Sequence, residues 1–140
     1  MSFNNEDRRS EKGFTLIELI VVLVILALLA AVVGPRVYSK LAGAKGNITK
    51  IQITEIEGAI QQYAIDLGHA PTTAEGLEAL VRNPGTSDAW NGPYLAKDIP
   101  KDNWGKPFIY RSPGTHGDFD LLSVGPDGVE GTDDDVCNWK

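Results

Sequence analysis

The chain has 140 residues, with 13 Lys or Arg and 19 Asp or Glu, so its formal net charge at pH 7 is −6. That length allows one modest domain beside an N-terminal apolar segment and excludes a second domain of enzyme size. Residues 102–140 hold eight acidic and three basic residues, a net charge of −5, which is the wrong sign for binding nucleic acid. The single cysteine, Cys137, excludes an internal disulfide.

An apolar run over residues 14–33 dominates the N-terminal part of the chain. As an α-helix its 20 residues would span roughly 30 Å, the thickness of the hydrocarbon core of a bilayer. One carboxylate, Glu18, interrupts the run. A charge in such a segment is costly and therefore indicates function. A cleaved secretory signal or a plain signal anchor would explain the run, but neither needs Glu18.

Helical periodicity continues beyond the apolar run. Gly34 and Pro35 predict a kink or local melting, and apolar residues then recur at spacings of three and four. We therefore predict one long kinked helix over residues 14–67, apolar all round in its first half and on one face in its second half. Gly68 and Pro71 would end it. A coiled-coil dimer is disfavoured because glycines interrupt the stripe and its register changes.

The remaining residues predict a small α+β domain. Thr72 and Glu75 have the spacing of a capping box, which predicts a short helix after them. Residues 108–110 and 119–124 predict the two strands of a hairpin, and thus a small antiparallel sheet packed against the long helix. Three aromatic residues lie among glycines and prolines, a pattern that more often covers a core than binds a ligand: Trp90, Tyr94 and Trp104.

The N-terminal string KGFTLIELIVVLVILALLA resembles the class III signal of type IV pilins and type II secretion pseudopilins. In that family a dedicated prepilin peptidase cuts after the glycine, here Gly13. The new N-terminus, here Phe14, is then N-methylated. The resemblance implies a prepilin leader peptide over residues 1–13, a transmembrane and fibre-core helix segment over 14–34, and a periplasmic pilin-like domain over 35–140.

The same resemblance offers a partner for Glu18. A buried carboxylate among packed helices is tolerated only when it is paired. The free ammonium of Phe14 could pair with it on the same chain, at helical spacing, or on a neighbouring subunit. Family knowledge implies the neighbour, so that each incoming subunit enters the fibre in register.

Four further segments, GLEAL, WNGPYL, DNWGKPFIY and DFDLLSVGPDG, resemble those of the major pseudopilin of type II secretion. The resemblance therefore covers nearly the whole chain and implies a type IV pilin-like fold. It also implies a structural subunit, not an enzyme, that polymerises into a periplasmic fibre and helps export folded proteins across the outer membrane.

Partners and alternatives follow from the same resemblance. The implied partners are further copies of the chain, prepilin peptidase, the inner-membrane assembly platform with its ATPase, the minor pseudopilins, and the bacterial inner membrane before assembly. Two alternatives stay open at this point. One is a type IV or competence pilin that serves adhesion or DNA uptake, and the other is a membrane-anchored calcium-binding module that never polymerises.

An acidic loop over residues 124–135 contains five acidic residues and three glycines. From the residues alone a solvated acidic turn is favoured, although calcium takes six to eight oxygen ligands and such a loop can supply them. The resemblance instead implies a calcium site that stabilises the folded domain. Its implied ligands are the side chains of Asp127, Asp134 and Asp135 and the backbone carbonyls of Val124 and Thr132, and Asp133 could replace one of them.

Other chemistry is not indicated. His69, His116 and Cys137 are too few and too scattered for a zinc site. Asp118 and Asp120 could in principle act as paired carboxylates, but on the predicted strand they share an outward face and are expected to be solvated.

Overall fold

The computed structural model describes residues 13–140, so the predicted leader lies outside the described residues except for Gly13. The elements are one α-helix, a short 3₁₀ helix and three strands: α1 over Leu16–Leu67, the 3₁₀ helix over Leu77–Leu80, β1 over Ile109–Arg111, β2 over Asp120–Ser123 and β3 over Val136–Cys137. Residue contacts divide the chain into two compact units, Met1–Lys40 and Leu41–Lys140.

The N-terminal unit contains the first part of α1. Helical hydrogen bonding continues through Gly34 and Pro35, so the predicted local melting was wrong. A proline removes only one backbone hydrogen bond, and the helix on either side of it is continuous. This part of α1 is long and apolar enough to cross a membrane. Every side chain of residues 13–44 is exposed in the described chain.

In the C-terminal unit, one face of α1 forms the core. The buried side chains recur at three- and four-residue spacings, as predicted for this half of the helix, and they are Thr49, Ile53, Ile56, Ala59, Ile60 and Tyr63. Ile48 and Ile51, also in the predicted stripe, stay 49% and 66% exposed. The apolar stripe therefore packs against the domain only from Ile53 onward.

The sheet is antiparallel throughout and has the order β1, β2, β3. Tyr110 pairs with Leu121, as the predicted hairpin requires, whereas β3, which pairs Cys137 with Leu122, was not predicted. Because successive residues of a strand point to opposite faces, Leu121 joins the core beneath α1. Leu122 instead packs in a second cluster with Cys137 and Val124, next to Trp139.

The predicted capping box is present but opens only a 3₁₀ helix. Glu75 Oε2 accepts from Thr72 N at 2.8 Å, and Glu75 N donates to Thr72 Oγ1 at 3.2 Å. Gly76 then adopts φ 64°, a left-handed conformation that stops an α-helix from continuing. The next four residues form the 3₁₀ helix Leu77–Leu80, which buries three of them in the core: Leu77, Ala79 and Leu80.

Asp120 was expected to be solvated and is instead 2% exposed. Its carboxylate accepts from Thr115 N at 2.9 Å and from His116 N at 3.0 Å, and His116 Nδ1 lies 3.1 Å away. The loop before β2 folds over the strand and supplies these partners, which strand alternation cannot reveal. Desolvation raises the pKa of Asp120, but these hydrogen bonds together hold it below its usual value. Asp118 is exposed, as expected.

Truncation of one isoleucine on each side of α1 should distinguish the buried face from the exposed face by its effect on stability. Ile60 is 0% exposed and Ile65 is 81% exposed. We expect Ile60→Ala to lower the free energy of unfolding by about 2–5 kcal/mol, because it removes buried methyl groups and leaves a cavity. Ile65→Ala should change it by less than about 0.5 kcal/mol. Urea unfolding of the full-length chain in detergent measures both, and equal losses would contradict the assigned core face.

Candidate functional site

Glu18 lies in the first turn of α1 and is held by Thr15. Glu18 Oε2 accepts from Thr15 N at 2.8 Å and from Thr15 Oγ1 at 3.0 Å, and Glu18 N donates to Thr15 Oγ1 at 3.3 Å. This is a second capping box, with the same reciprocal bonds as Thr72 and Glu75. The spacing Thr-x-x-Glu is readable in the sequence, and the sequence analysis missed it at this position.

The capping box leaves Glu18 within an exposed apolar surface. Phe14 is 90% exposed, and its neighbours along α1 are exposed as well. A carboxylate that enters an apolar environment with only local partners still lacks a countercharge. The predicted pair between Glu18 and the ammonium of Phe14 on another subunit, and the cut after Gly13, involve other molecules and stay predictions.

The acidic loop leaves β2 at Val124 and returns to the sheet at β3. Val124 is buried. Gly125 has φ 62°, and a Cβ there would overlap the backbone carbonyl of Asp134. The two limbs of the loop therefore approach closely at this glycine, because no other residue type fits both the conformation and the space. This approach brings the predicted ligands from both ends of the loop together.

Hydrogen bonds link most of the predicted ligands. Asp127 N donates to Asp134 Oδ2 at 3.2 Å, and the hydroxyl of Thr132 donates to Asp134 Oδ1. The bond from Thr132 is the main cause that lowers the pKa of Asp134. The carbonyl of Thr132 accepts from Asp135 N at 3.3 Å. Asp133 is exposed, as is Asp127, but in contrast to Asp127 it takes no part in these hydrogen bonds.

Asp135 provides the observation that bears on a cation. Its Oδ2 accepts from Gly131 N at 2.7 Å, whereas its Oδ1 is buried and has no hydrogen-bond partner in residues 13–140. An ionised carboxylate is an acceptor only, and leaving such an atom buried without a partner is costly. The loop therefore presents oxygen donors and one unsatisfied anionic oxygen, the chemistry that suits a hard cation such as calcium.

Side chains alone do not form a complete metal centre. Among residues 13–140, no three His, Cys, Asp or Glu side chains are grouped so that they could hold a metal ion. The structure therefore does not bring the carboxylates of Asp127, Asp134 and Asp135 together as a metal site, and a cation in this loop would depend on backbone carbonyls as well. Cys137 is buried against Leu122, and its thiol belongs to the core.

Two basic residues outside the loop contact it, and neither was singled out from the sequence. Arg111 on β1 makes a two-bond ion pair with Glu130, at 2.6 and 2.8 Å. That pairing is the main cause that lowers the pKa of Glu130. Lys106 Nζ donates to the carbonyls of Gly125, at 3.1 Å, and Pro126, at 3.3 Å. Only the three-dimensional fold brings these side chains to the loop.

Two family models match complementary parts of the chain. Residues 36–139 match the family "Type II secretion system (T2SS), protein G". Residues 8–34 match the "Prokaryotic N-terminal methylation motif". The second match covers both Gly13 and Glu18.

Known relatives agree with these matches. The chain is 46% identical over 138 residues to type II secretion system core protein G of Pseudomonas aeruginosa, covering 94% of this chain and 97% of that protein. It is 40% identical to the protein of the same name in Escherichia coli K12, covering 92% and 91%, and 40% identical to that of Vibrio cholerae, covering 94% of each.

A solved structure shares the fold. The crystal structure of the major pseudopilin from the type 2 secretion system of enterohaemorrhagic Escherichia coli superposes with a TM-score of 0.61 at 33% sequence identity, covering 72% of this chain and 91% of that one. The predicted long helix with a small antiparallel sheet is thereby confirmed as the pseudopilin fold. The chain belongs to the protein G family of type II secretion systems, whose members are structural pseudopilin subunits.

Proposed function

We propose that this chain is the repeating subunit of the type II secretion pseudopilus, a periplasmic fibre that helps export folded proteins across the outer membrane. The observation that carries the proposal is the apolar surface of residues 13–44, which the described chain leaves entirely exposed. Apolar surface of that extent marks a membrane or protein contact. Lipid covers it before assembly, and the same segments of neighbouring copies cover it in the fibre.

Glu18 sets the register of the fibre. After cleavage at Gly13, Phe14 carries a free ammonium group, and this cation neutralises Glu18 of a neighbouring copy. A buried ion pair adds little net stability compared with apolar packing, but a broken pair leaves an uncompensated charge. Wrong alignments of two otherwise uniform apolar helices are therefore penalised, and the correct one is selected.

The remaining partners and the location follow from the family. Prepilin peptidase removes the leader and methylates Phe14 at the inner membrane. The assembly platform and its ATPase extract subunits from that membrane, and minor pseudopilins occupy the tip of the fibre. The Leu41–Lys140 unit lies in the periplasm, both before and after assembly.

Removal of the Glu18 carboxylate should prevent fibre growth. In Glu18→Ala, the ammonium of Phe14 on a neighbouring copy would be buried without its partner, at a cost of about 3–5 kcal/mol. The equilibrium constant for adding a subunit should then fall by about two to four orders of magnitude. Electron microscopy and shearing of cells that overproduce the chain with its secretion system measure the fibres.

Asp88→Ala is the matched control, since Asp88 is an exposed carboxylate of the Leu41–Lys140 unit, and fibres should persist in it. Processing is checked by the mass of the mature chain in both variants. Fibres in parental amounts from correctly processed Glu18→Ala protein would refute the register mechanism. A parent that is processed but never forms fibres would favour the alternative of a non-polymerising membrane-anchored module.

We propose in addition that the acidic loop binds one calcium ion. The side chains of Asp127, Asp134 and Asp135 and the carbonyls of Val124 and Thr132 would hold it. The buried Asp135 Oδ1 without a hydrogen-bond partner supports this assignment. Calcium would supply charge neutralisation and several oxygen contacts to a domain end that has no disulfide, and so stabilise its folded state.

Calcium should raise the melting temperature of the parent chain. At a free concentration of about one hundred times Kd, a ligand that binds only the folded state stabilises it by about 2.7 kcal/mol, which corresponds to a rise of about 10–20 °C for a domain of this size. Asp134→Ala should melt at lower temperature and lose its response to calcium. Calorimetry of the full-length protein in detergent, with calcium or with chelator, measures both effects.

Asp133→Ala provides the comparison within the loop, because Asp133 is exposed and takes no part in the hydrogen bonds that link the other predicted ligands. The variant should keep the calcium response of the parent. Loss of that response in Asp133→Ala would move the ligand assignment from a neighbouring aspartate to Asp133. Identical melting of the parent with calcium and with chelator would rule out the calcium site altogether.

A further inference from the structure

We propose that Lys106 is the positioning residue of the acidic loop: its ammonium group holds residues 124–128 in the folded conformation before calcium arrives, and so raises the affinity of the loop for calcium. The second half of this inference rests on the calcium site proposed above. The first half concerns the loop without metal and can be tested separately.

The backbone of Lys106 is fixed by hydrogen bonds to the buried residue Asp102. Asp102 is 5% exposed, and its Oδ1 accepts from Lys106 N at 2.8 Å. The two residues also pair through their backbones, since Asp102 N donates to Lys106 O at 2.8 Å. Asp102 Oδ2 accepts from the hydroxyl of Ser123 on β2. The base of the Lys106 side chain is therefore tied to the strand from which the acidic loop departs.

The side chain of Lys106 then crosses the loop. Its Nζ donates to the carbonyls of Gly125 and Pro126. A Cβ at Gly128 would lie 2.6 Å from Nζ and 3.3 Å from Cε, so this glycine leaves the space that the lysine occupies. Gly128 also has φ 74°, a backbone conformation that favours glycine.

The partners of Lys106 are informative because they are carbonyls. Five acidic side chains lie in the loop, yet Nζ forms no salt bridge among the described residues. The carbonyls it holds lie between Val124 and Asp127, two of the predicted calcium ligands. The ammonium therefore orders the limb that carries these ligands and leaves the carboxylates available to a cation.

Two effects of Lys106 on calcium oppose each other. Its positive charge repels calcium, but the loop is exposed and solvent and salt weaken that repulsion. Its hydrogen bonds order the limb in advance, which reduces the conformational entropy that binding must remove. Solvent and salt do not weaken the entropic benefit of ordering the limb in advance. We infer that this benefit outweighs the charge repulsion in the free energy of calcium binding.

The test compares Lys106→Met, which keeps the aliphatic stem, with Lys97→Met, which removes a positive charge from an exposed residue. Calorimetric titration of the full-length chain in detergent, at a temperature where every variant is folded, gives the Kd for calcium. We expect Lys106→Met to raise Kd about tenfold, the size expected if calcium must then order about one more backbone residue of the limb. Lys97→Met should match the parent, and Lys106→Arg should restore most of the affinity.

Amide hydrogen exchange in chelator tests the loop without metal. We expect faster exchange in Lys106→Met at the amides of Asp127 and Val129, which donate within the loop, and parental exchange in Lys97→Met. Should Lys106→Met fail to fold, Lys106→Gln replaces it with the same expectations. A purely structural role would lower the melting temperature without changing Kd or this exchange.

The outcomes separate the two proposals. If the parent binds calcium and Lys106→Met binds it equally or more tightly, the inference about Lys106 is overturned and the calcium site stands. If the parent binds no calcium, the calcium site and the effect of Lys106 on affinity both fail. Unchanged exchange in chelator would then overturn the positioning of the loop as well, whereas faster exchange would uphold it.

Discussion

The molecule depends on one constraint, which is that the first part of α1 cannot bury its own apolar side chains. An α-helix satisfies its backbone hydrogen bonds internally, so it is stable in lipid or among other helices. Its side chains over residues 13–44 nevertheless remain exposed in the described chain. No tight fold of this part alone removes them from water. The protein must therefore always be associated with something apolar, and the family to which it belongs uses that requirement to build a fibre.

Within that apolar surface, the capping box of Thr15 and Glu18 reconciles two demands. The free N–H groups of a helix start need acceptors, and a carboxylate in an apolar segment needs donors. Thr15 and Glu18 satisfy each other with bonds of 2.8 to 3.3 Å. The hydrogen-bonding needs of the carboxylate are thus partly met within one chain, while its charge is not. The ion pair that we propose with Phe14 of a neighbouring subunit would supply the neutralisation, and such an attraction acts over distance.

The acidic loop balances charge in a different way. Arg111 pairs with Glu130 through direct bonds, and Lys106 donates to carbonyls, so in the described part of the chain neither forms an ion pair with an aspartate of the loop. The loop is held from outside by these two basic side chains, one on β1 and one on the turn at Asp102. One buried oxygen of Asp135 has no hydrogen-bond partner among residues 13–140. The calcium ion that we propose for this loop would supply the positive charge that the two basic side chains do not bring to the aspartates.

Local signals allowed much of this to be predicted. The helix, the capping box at Thr72 and the pairing of β1 with β2 each depend on spacings within a few residues, and all three are present. The missed capping box of Thr15 and Glu18 was local and readable in the sequence, and the loop that buries Asp120 lies only four to five residues before it. The other missed features depend on distant contacts. β3 has two residues and exists because Cys137 meets Leu122, and Lys106 reaches its carbonyls across 19 residues of chain. No periodicity within a short window encodes such contacts.

The contacts of α1 with the end of the chain have a consequence for folding. Lys50 Nζ donates at 2.6 Å to the carbonyls of Cys137 and Lys140, and Thr49 accepts from Asn103. The groups that complete this part of the domain are thus separated by 54 to 90 residues of chain. The entropy lost in closing loops of that length is not offset until the contacts have formed, and this slows folding. These polar contacts of α1 are therefore completed only when residues as far along the chain as Lys140 are available, long after the helix itself has been synthesised.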